Sequence, residues 1–210
     1  MLLRHARLLT EPDLVDLLFE GSAITQIGPG LAAPEGAEVV DLEGRLVTAP
    51  LVEPHIHLDA VLTVGQPRDN VSGSLFEGIA VWAERTPSLT VEDVTQRARE
   101  VLRWQLACGV QHVRSHVDVC DRDLRALRAL SAVRDDLRGE IDLQLVAFPQ
   151  QSVFGFEGGP SLMREAMELG ADVVGGIPHY ELTREDGVAE VNFVFDLALE
   201  FGRPLDLHCD

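Results

Sequence analysis

Short apolar runs recur along most of this chain at a nearly constant interval. They are Leu51-Val52 leading into His55, then residues 110–119, 141–148, 171–177 and 204–208, and after the second they return about every 30 residues. That interval matches one strand-helix-strand unit, and a continuous apolar run suits a parallel strand buried on both faces. The stretches between them carry charge on one side, as helices covering a sheet do. A helix is expected from Val91 to Cys108, with Thr90 as N-cap, an acid three residues on at Asp93, and Gly109 as its stop. A second from Ser161 to Leu169 stops at Gly170, and Arg122–Leu137 and Val188–Glu200 fill the remaining intervals. Five parallel strands fit either an open sheet or part of a closed eight-stranded barrel. No G-x-G-x-x-G or Walker loop follows any of them, which disfavours a nucleotide-binding open sheet. A full barrel takes about 250 residues and only about 160 follow Thr48, so three strand-helix units would be missing.

Residues 1–48 read differently, as short strands at Ala6–Leu9, Val15–Phe19 and Ala23–Ile27, with turns at Gly28-Pro29-Gly30 and Pro34-Glu35-Gly36. The expected organisation is therefore a β-rich segment over 1–48 and an α/β unit over 49–210. Thirty-five acidic residues against seventeen Lys and Arg leave a formal charge of −18. Such a chain repels phosphate backbones and anionic lipid, so no nucleic-acid or membrane partner is expected and a small molecule is. No apolar run reaches the roughly 18 residues of a membrane span. Cys108, Cys120 and Cys209 are odd in number and form no C-x-x-C pair, as where thiols stay reduced, and a cytoplasmic location is the expectation.

The densest chemistry lies in Glu53-Pro54-His55-Ile56-His57-Leu58-Asp59. Residues i and i+2 of a strand share a side, so His55 and His57 present two imidazoles together, the start of a divalent metal site. Two partly buried histidines satisfied by neighbours would look the same in sequence. His208 closes the last apolar run, and the carboxyl ends of barrel strands, where active sites sit, would bring all three together. His112 and His116 share one side of their strand and read as structural or supporting residues. Asp59 reads either as orienting a ligand histidine or as a surface turn. His179 falls at a pocket rim, and His5 has no assigned role.

The motif His55-Ile56-His57-Leu58-Asp59 behind a β-rich segment resembles the amidohydrolase superfamily of metal-dependent (β/α)8 hydrolases, and the later blocks resemble its bacterial cytosine deaminase branch. Those blocks include residues 65–67 (GQP), 74–79 (SLFEGI), 82–85 (WAER), 111–119 (QHVRSHVDV), 146–150 (VAFPQ) and 171–179 (ADVVGGIPH). The resemblance implies an incomplete (β/α)8 TIM barrel, its first five strands, preceded by part of a small β-sandwich. It implies that His55, His57 and His208 ligate one divalent ion, Fe(II) or Zn(II), that Gln150 hydrogen-bonds the amide edge of a pyrimidine, and that Leu75 lines the ring pocket. The implied reaction is hydrolysis of cytosine to uracil and ammonia, with isoguanine, creatinine-like rings or triazines as sister substrates. Members of the branch are often oligomers, so a homo-oligomer is compatible with it. The family's proton-shuttling glutamate, a later histidine and a metal-binding aspartate have no counterpart before Asp210. The chain is therefore expected to be an amino-terminal portion with no catalytic acid or base of its own, inactive alone, or else an inert remnant or interaction module.

Overall fold

The computed structural model describes residues 1–209 and divides into two compact units, Met1–Pro50 and Leu51–Asp210. In the first, β1 (Leu2–Ala6), β2 (Val15–Glu20), β3 (Ala23–Gly28) and β4 (Val39–Asp41) form one sheet in the order β3-β2-β1-β4. β1 runs antiparallel to β2 and parallel to β4. The first strand lies four residues earlier than the expected Ala6–Leu9. Leu2 and Ala6 are fully buried whereas Leu9 is 82% exposed, so the arginines at 4 and 7 flank the core rather than interrupt a strand. Buried Asp16 fastens this unit: its Oδ1 accepts the His5 N–H at 3.0 Å and its Oδ2 the Leu31 N–H at 3.0 Å.

The second unit is α/β, as expected. β5 (Leu51–Ile56), β6 (Val110–Asp118), β7 (Asp142–Phe148), β8 (Val173–Gly176) and β9 (Leu205–Leu207) form a parallel sheet in that spatial order. This is the strand sequence of the first five strands of a (β/α)8 barrel. Two helices follow β5, α1 (Leu75–Arg85) and α2 (Val91–Ala107); single helices α3 (Arg125–Asp136), α4 (Gly159–Glu168) and α5 (Arg184–Phe201) fill the later crossovers. Their apolar faces close on the sheet through Leu102, Leu127, Leu130, Met163 and Leu197, all essentially buried.

Local chemistry explains most of these boundaries. Thr90 Oγ1 accepts the Asp93 N–H at 3.1 Å and Thr183 Oγ1 the Asp186 N–H at 3.0 Å, each satisfying an orphan donor of a first turn. α1 escaped the sequence reading although Ser74 and Glu77 stand in the same relation, with Ser74 Oγ accepting the Glu77 N–H at 3.2 Å. α5 begins at Arg184, four residues before the expected start, because the Thr183 cap lies outside its apolar run. α3 begins at Arg125 rather than Arg122, since Leu124 adopts a left-handed conformation with φ 48°. The paired glycines of β8 are required by close approach. A Cβ on Gly175 would stand 2.5 Å from the Ala147 carbonyl oxygen, and one on Gly176 would stand 2.4 Å from Leu207 Cδ2. Among the described residues no helix is long and apolar enough to cross a membrane.

Candidate metal centre

The carboxyl ends of the five parallel strands carry the histidines. β5 delivers His55 and, one residue past its end, His57; β6 delivers His116, and His208 follows β9. The turn after His57 is fixed from two sides. Leu58 N–H donates to Ser115 Oγ at 3.1 Å, Asp118 N–H donates to Asp59 Oδ2 at 2.8 Å, and Arg97 donates to the carbonyls of Asp59 and Val61 at 2.8 and 2.6 Å. Asp59 is thus not a surface turn: it is 1% exposed and ties the His57 turn to the end of β6. Burial drives its carboxyl up to about 7, against the Asp118 hydrogen bond that favours its ionised form.

One ligand atom each from His55, His116 and His208 lies within 4.8 Å of the others. The His55 ring centroid is 4.1 Å from that of His116 and 4.8 Å from that of His208, stacked on both. His57 stands beside this group, 5.4 Å from His55 and 5.6 Å from His116 between centroids. Phe148, fully buried at the end of β7, floors the cluster, its ring 4.5 Å from His208, 5.4 Å from His116 and 5.7 Å from His57. The structure therefore brings together three of the residues singled out from sequence and adds His116, which sequence reasoning had placed in a supporting role.

The electrostatics suit a cation. Burial, then the charges of His116, His55 and His208, lowers the pKa of His57 to about 3; burial, then His55, lowers that of His116 to about 4. Both rings are accordingly neutral at pH 7 and offer lone pairs, which is the ligating form of imidazole. His116 is fully buried, and its ring nitrogens make no hydrogen bond among the described residues. Asp206 Oδ2 lies 3.5 Å from its Nε2; burial works to raise the Asp206 pKa, and the Arg114 guanidinium, 2.8 Å from the same oxygen, works to lower it. A buried neutral imidazole without a donor, in a cluster of three others, is the arrangement a divalent ion satisfies.

The metal-free protein should show this in its acid stability. His57 and His116 stay neutral in the fold far below the ordinary histidine value of 6.5, whereas in the unfolded chain they take up protons there. Their contribution is complete above pH 6.5 and is lost as pH falls towards about 4 and then about 3. Urea unfolding of the chelated protein between pH 7 and pH 4 should show the loss, and H116A should flatten it; a slope unchanged by H116A would refute the assignment.

Other residues take definite places. Gln150 sits just past β7, half-buried, its N–H donating to the Phe148 carbonyl at 3.1 Å. Leu75 opens α1 and is 65% exposed; its neighbour Phe76 stacks on Tyr180 with 6.0 Å between centroids. His179 follows β8 and its Nδ1 lies 3.1 Å from the His208 carbonyl oxygen. His112 is exposed, paired with Asp142 at 3.3 Å, and four residues down the strand from His116, about 13 Å at strand rise. It belongs to the opposite end of the sheet.

The amidohydrolase family profile matches residues 38–210. N-isopropylammelide isopropyl amidohydrolase from Pseudomonas sp. strain ADP is 27% identical over 218 residues, covering 99% of this chain and 52% of that protein. The crystal structure of 5-methylcytosine deaminase from Klebsiella pneumoniae liganded with 5-fluorocytosine superimposes with a TM-score of 0.95 at 49% identity, covering 100% of this chain and 51% of that one. N-isopropylammelide isopropylaminohydrolase from Burkholderia multivorans gives a TM-score of 0.83 at 34% identity, over 99% of this chain and 52% of that one. The chain spans about half the length of each of these relatives.

Proposed function

Since the chain belongs to the amidohydrolase family, we propose that the protein removes the exocyclic amino group of a free cytosine-type pyrimidine by hydrolysis, giving the corresponding uracil and ammonia. The observation that carries this reading is the imidazole cluster of His55, His57, His116 and His208 at the carboxyl ends of parallel strands. The 49% identity to a deaminase liganded with 5-fluorocytosine directs it to pyrimidines rather than triazines.

One divalent ion, Fe(II) or Zn(II), would be held by His55 and His208 with His57 or His116 as third ligand. When bound, such an ion supplies Lewis acidity and an acidified water at neutral pH. The chain's own residues do the rest of what is legible here. Gln150 offers one acceptor and two donors, which match a cyclic N–H/C=O edge and would orient the ring. Leu75, exposed at the start of α1, would cover an apolar face of that ring.

The test is ammonia release from cytosine and 5-methylcytosine by the protein loaded with iron(II) or zinc. Turnover of either pyrimidine supports the reading. Turnover of N-isopropylammelide alone moves the protein to the triazine branch.

A further inference from the structure

Two acidic side chains meet behind the mouth of the sheet. Glu190, on the second turn of α5, is fully buried, and its Oε1 accepts the Ile177 N–H at 2.5 Å. Glu181, in the segment after β8, accepts two amides of the loop after β7 on its Oε1, Val153 N–H at 2.8 Å and Phe154 N–H at 2.9 Å. The two carboxyls lie within hydrogen-bonding reach of each other. Their remaining oxygens, Glu181 Oε2 and Glu190 Oε2, are both buried, and neither meets a donor from the other described residues. Orphan acceptors on two neighbouring buried carboxyls can be satisfied together by a single shared proton, and two adjacent buried carboxylates without one would repel.

We propose that Glu190 and Glu181 share one proton and form a carboxyl–carboxylate clamp, and that both are positioning residues setting the two mouth loops that carry Gln150 and His179. The pair joins three elements: α5 through Glu190, the end of β8 through Ile177, and the loop after β7 through Val153 and Phe154. Gln150 lies three residues before Val153 and His179 two residues before Glu181, so the clamp fixes the backbone on which each is mounted. The loop has little slack, since a Cβ on Gly159 would stand 1.9 Å from the Val153 carbonyl oxygen. Burial foremost, then the Glu181 hydrogen bond, raises the Glu190 pKa to about 8, against the Ile177 amide. The titratable groups facing Glu190 are Glu181 and, from the segment after β6, the thiol of Cys120, which burial keeps protonated.

The effect of the clamp on substrate rests on the deaminase reading; the shared proton does not, and the experiment separates them. Infrared spectra of the protein at pH 7 should contain a protonated-carboxyl band that is absent from E190Q and fades in wild type above about pH 8. In the metal-loaded enzyme, KM for the pyrimidine should rise in wild type above that pH while kcat holds, and E190Q, which keeps both hydrogen bonds without an ionisable proton, should show a flat KM. E190L, which orphans the Ile177 amide and Glu181, should raise KM at least about tenfold at pH 7, the scale set by an unsatisfied buried group. A wild-type spectrum identical to that of E190Q overturns the shared proton. Coincident KM profiles for wild type and E190Q overturn the positioning role. Absence of turnover with the band present overturns the substrate reading and leaves the clamp standing.

Discussion

On the proposed reading, replacing His208 with alanine should abolish binding of a divalent ion and lower kcat/KM by roughly three orders of magnitude, the several kcal/mol of transition-state stabilisation that such an ion would supply. The reasoning is geometric. His208 enters from the last strand of the sheet and His55 from the first, so an ion held by both would join elements 153 positions apart in the chain. H55A should behave alike. H57A and H116A then decide the third ligand, because His116 shares the tight group of ligand atoms whereas His57 is the neighbour that the family resemblance names. Metal content after dialysis against a weak chelator is the measurement. The variant that retains the ion identifies the residue that supports rather than binds. Retention of a full equivalent of metal by H208A would remove the basis of the whole assignment.

Phe148→Ala should cost about 3–5 kcal/mol in urea unfolding, a large part of the stability of an ordinary domain. Phe148 is fully buried at the end of β7, and its ring meets three of the four imidazoles. Truncation leaves an apolar cavity beneath polar rings, which then have room to tilt and to admit water. Two consequences follow from one change: lost stability, and weaker metal binding as the imidazoles lose their common orientation. Phe148→Leu, which keeps most of the volume, should cost less than about 1.5 kcal/mol and retain the ion. A cost for Phe148→Ala no larger than that of the leucine variant would show that the histidines are held by their own strands and not by this floor.

Much of the architecture was legible because it rests on short-range periodicity. The apolar runs near 110, 141, 171 and 204 became β6 to β9, and the Thr90 cap and Gly109 stop bounded α2 to within a residue. The misses have physical causes. Strand β1 was displaced because Leu2 and Ala6 bury single positions between exposed ones, leaving no run to see. α1 carried its capping pair in Ser74 and Glu77, but it follows a long polar loop and lacks a repeating partner in the sequence. Asp59 read either as orienting a ligand histidine or as a surface turn because nothing local shows that Asp118, 59 positions later, donates its amide to it.

What the sequence determined by itself was the set of local decisions: which segments extend, which coil, where helices start and stop, and that His55 and His57 share a side of one strand. Those depend on neighbours within a few residues, where side-chain period and capping chemistry act. Only the tertiary structure decided that His116 joins the cluster, that Phe148 floors it, and that Glu181 and Glu190 each bury an oxygen without a donor among the described residues. Each of these depends on the side-by-side pairing and curl of strands distant in the chain, and on burial, which turns an ordinary imidazole or carboxyl into a neutral one.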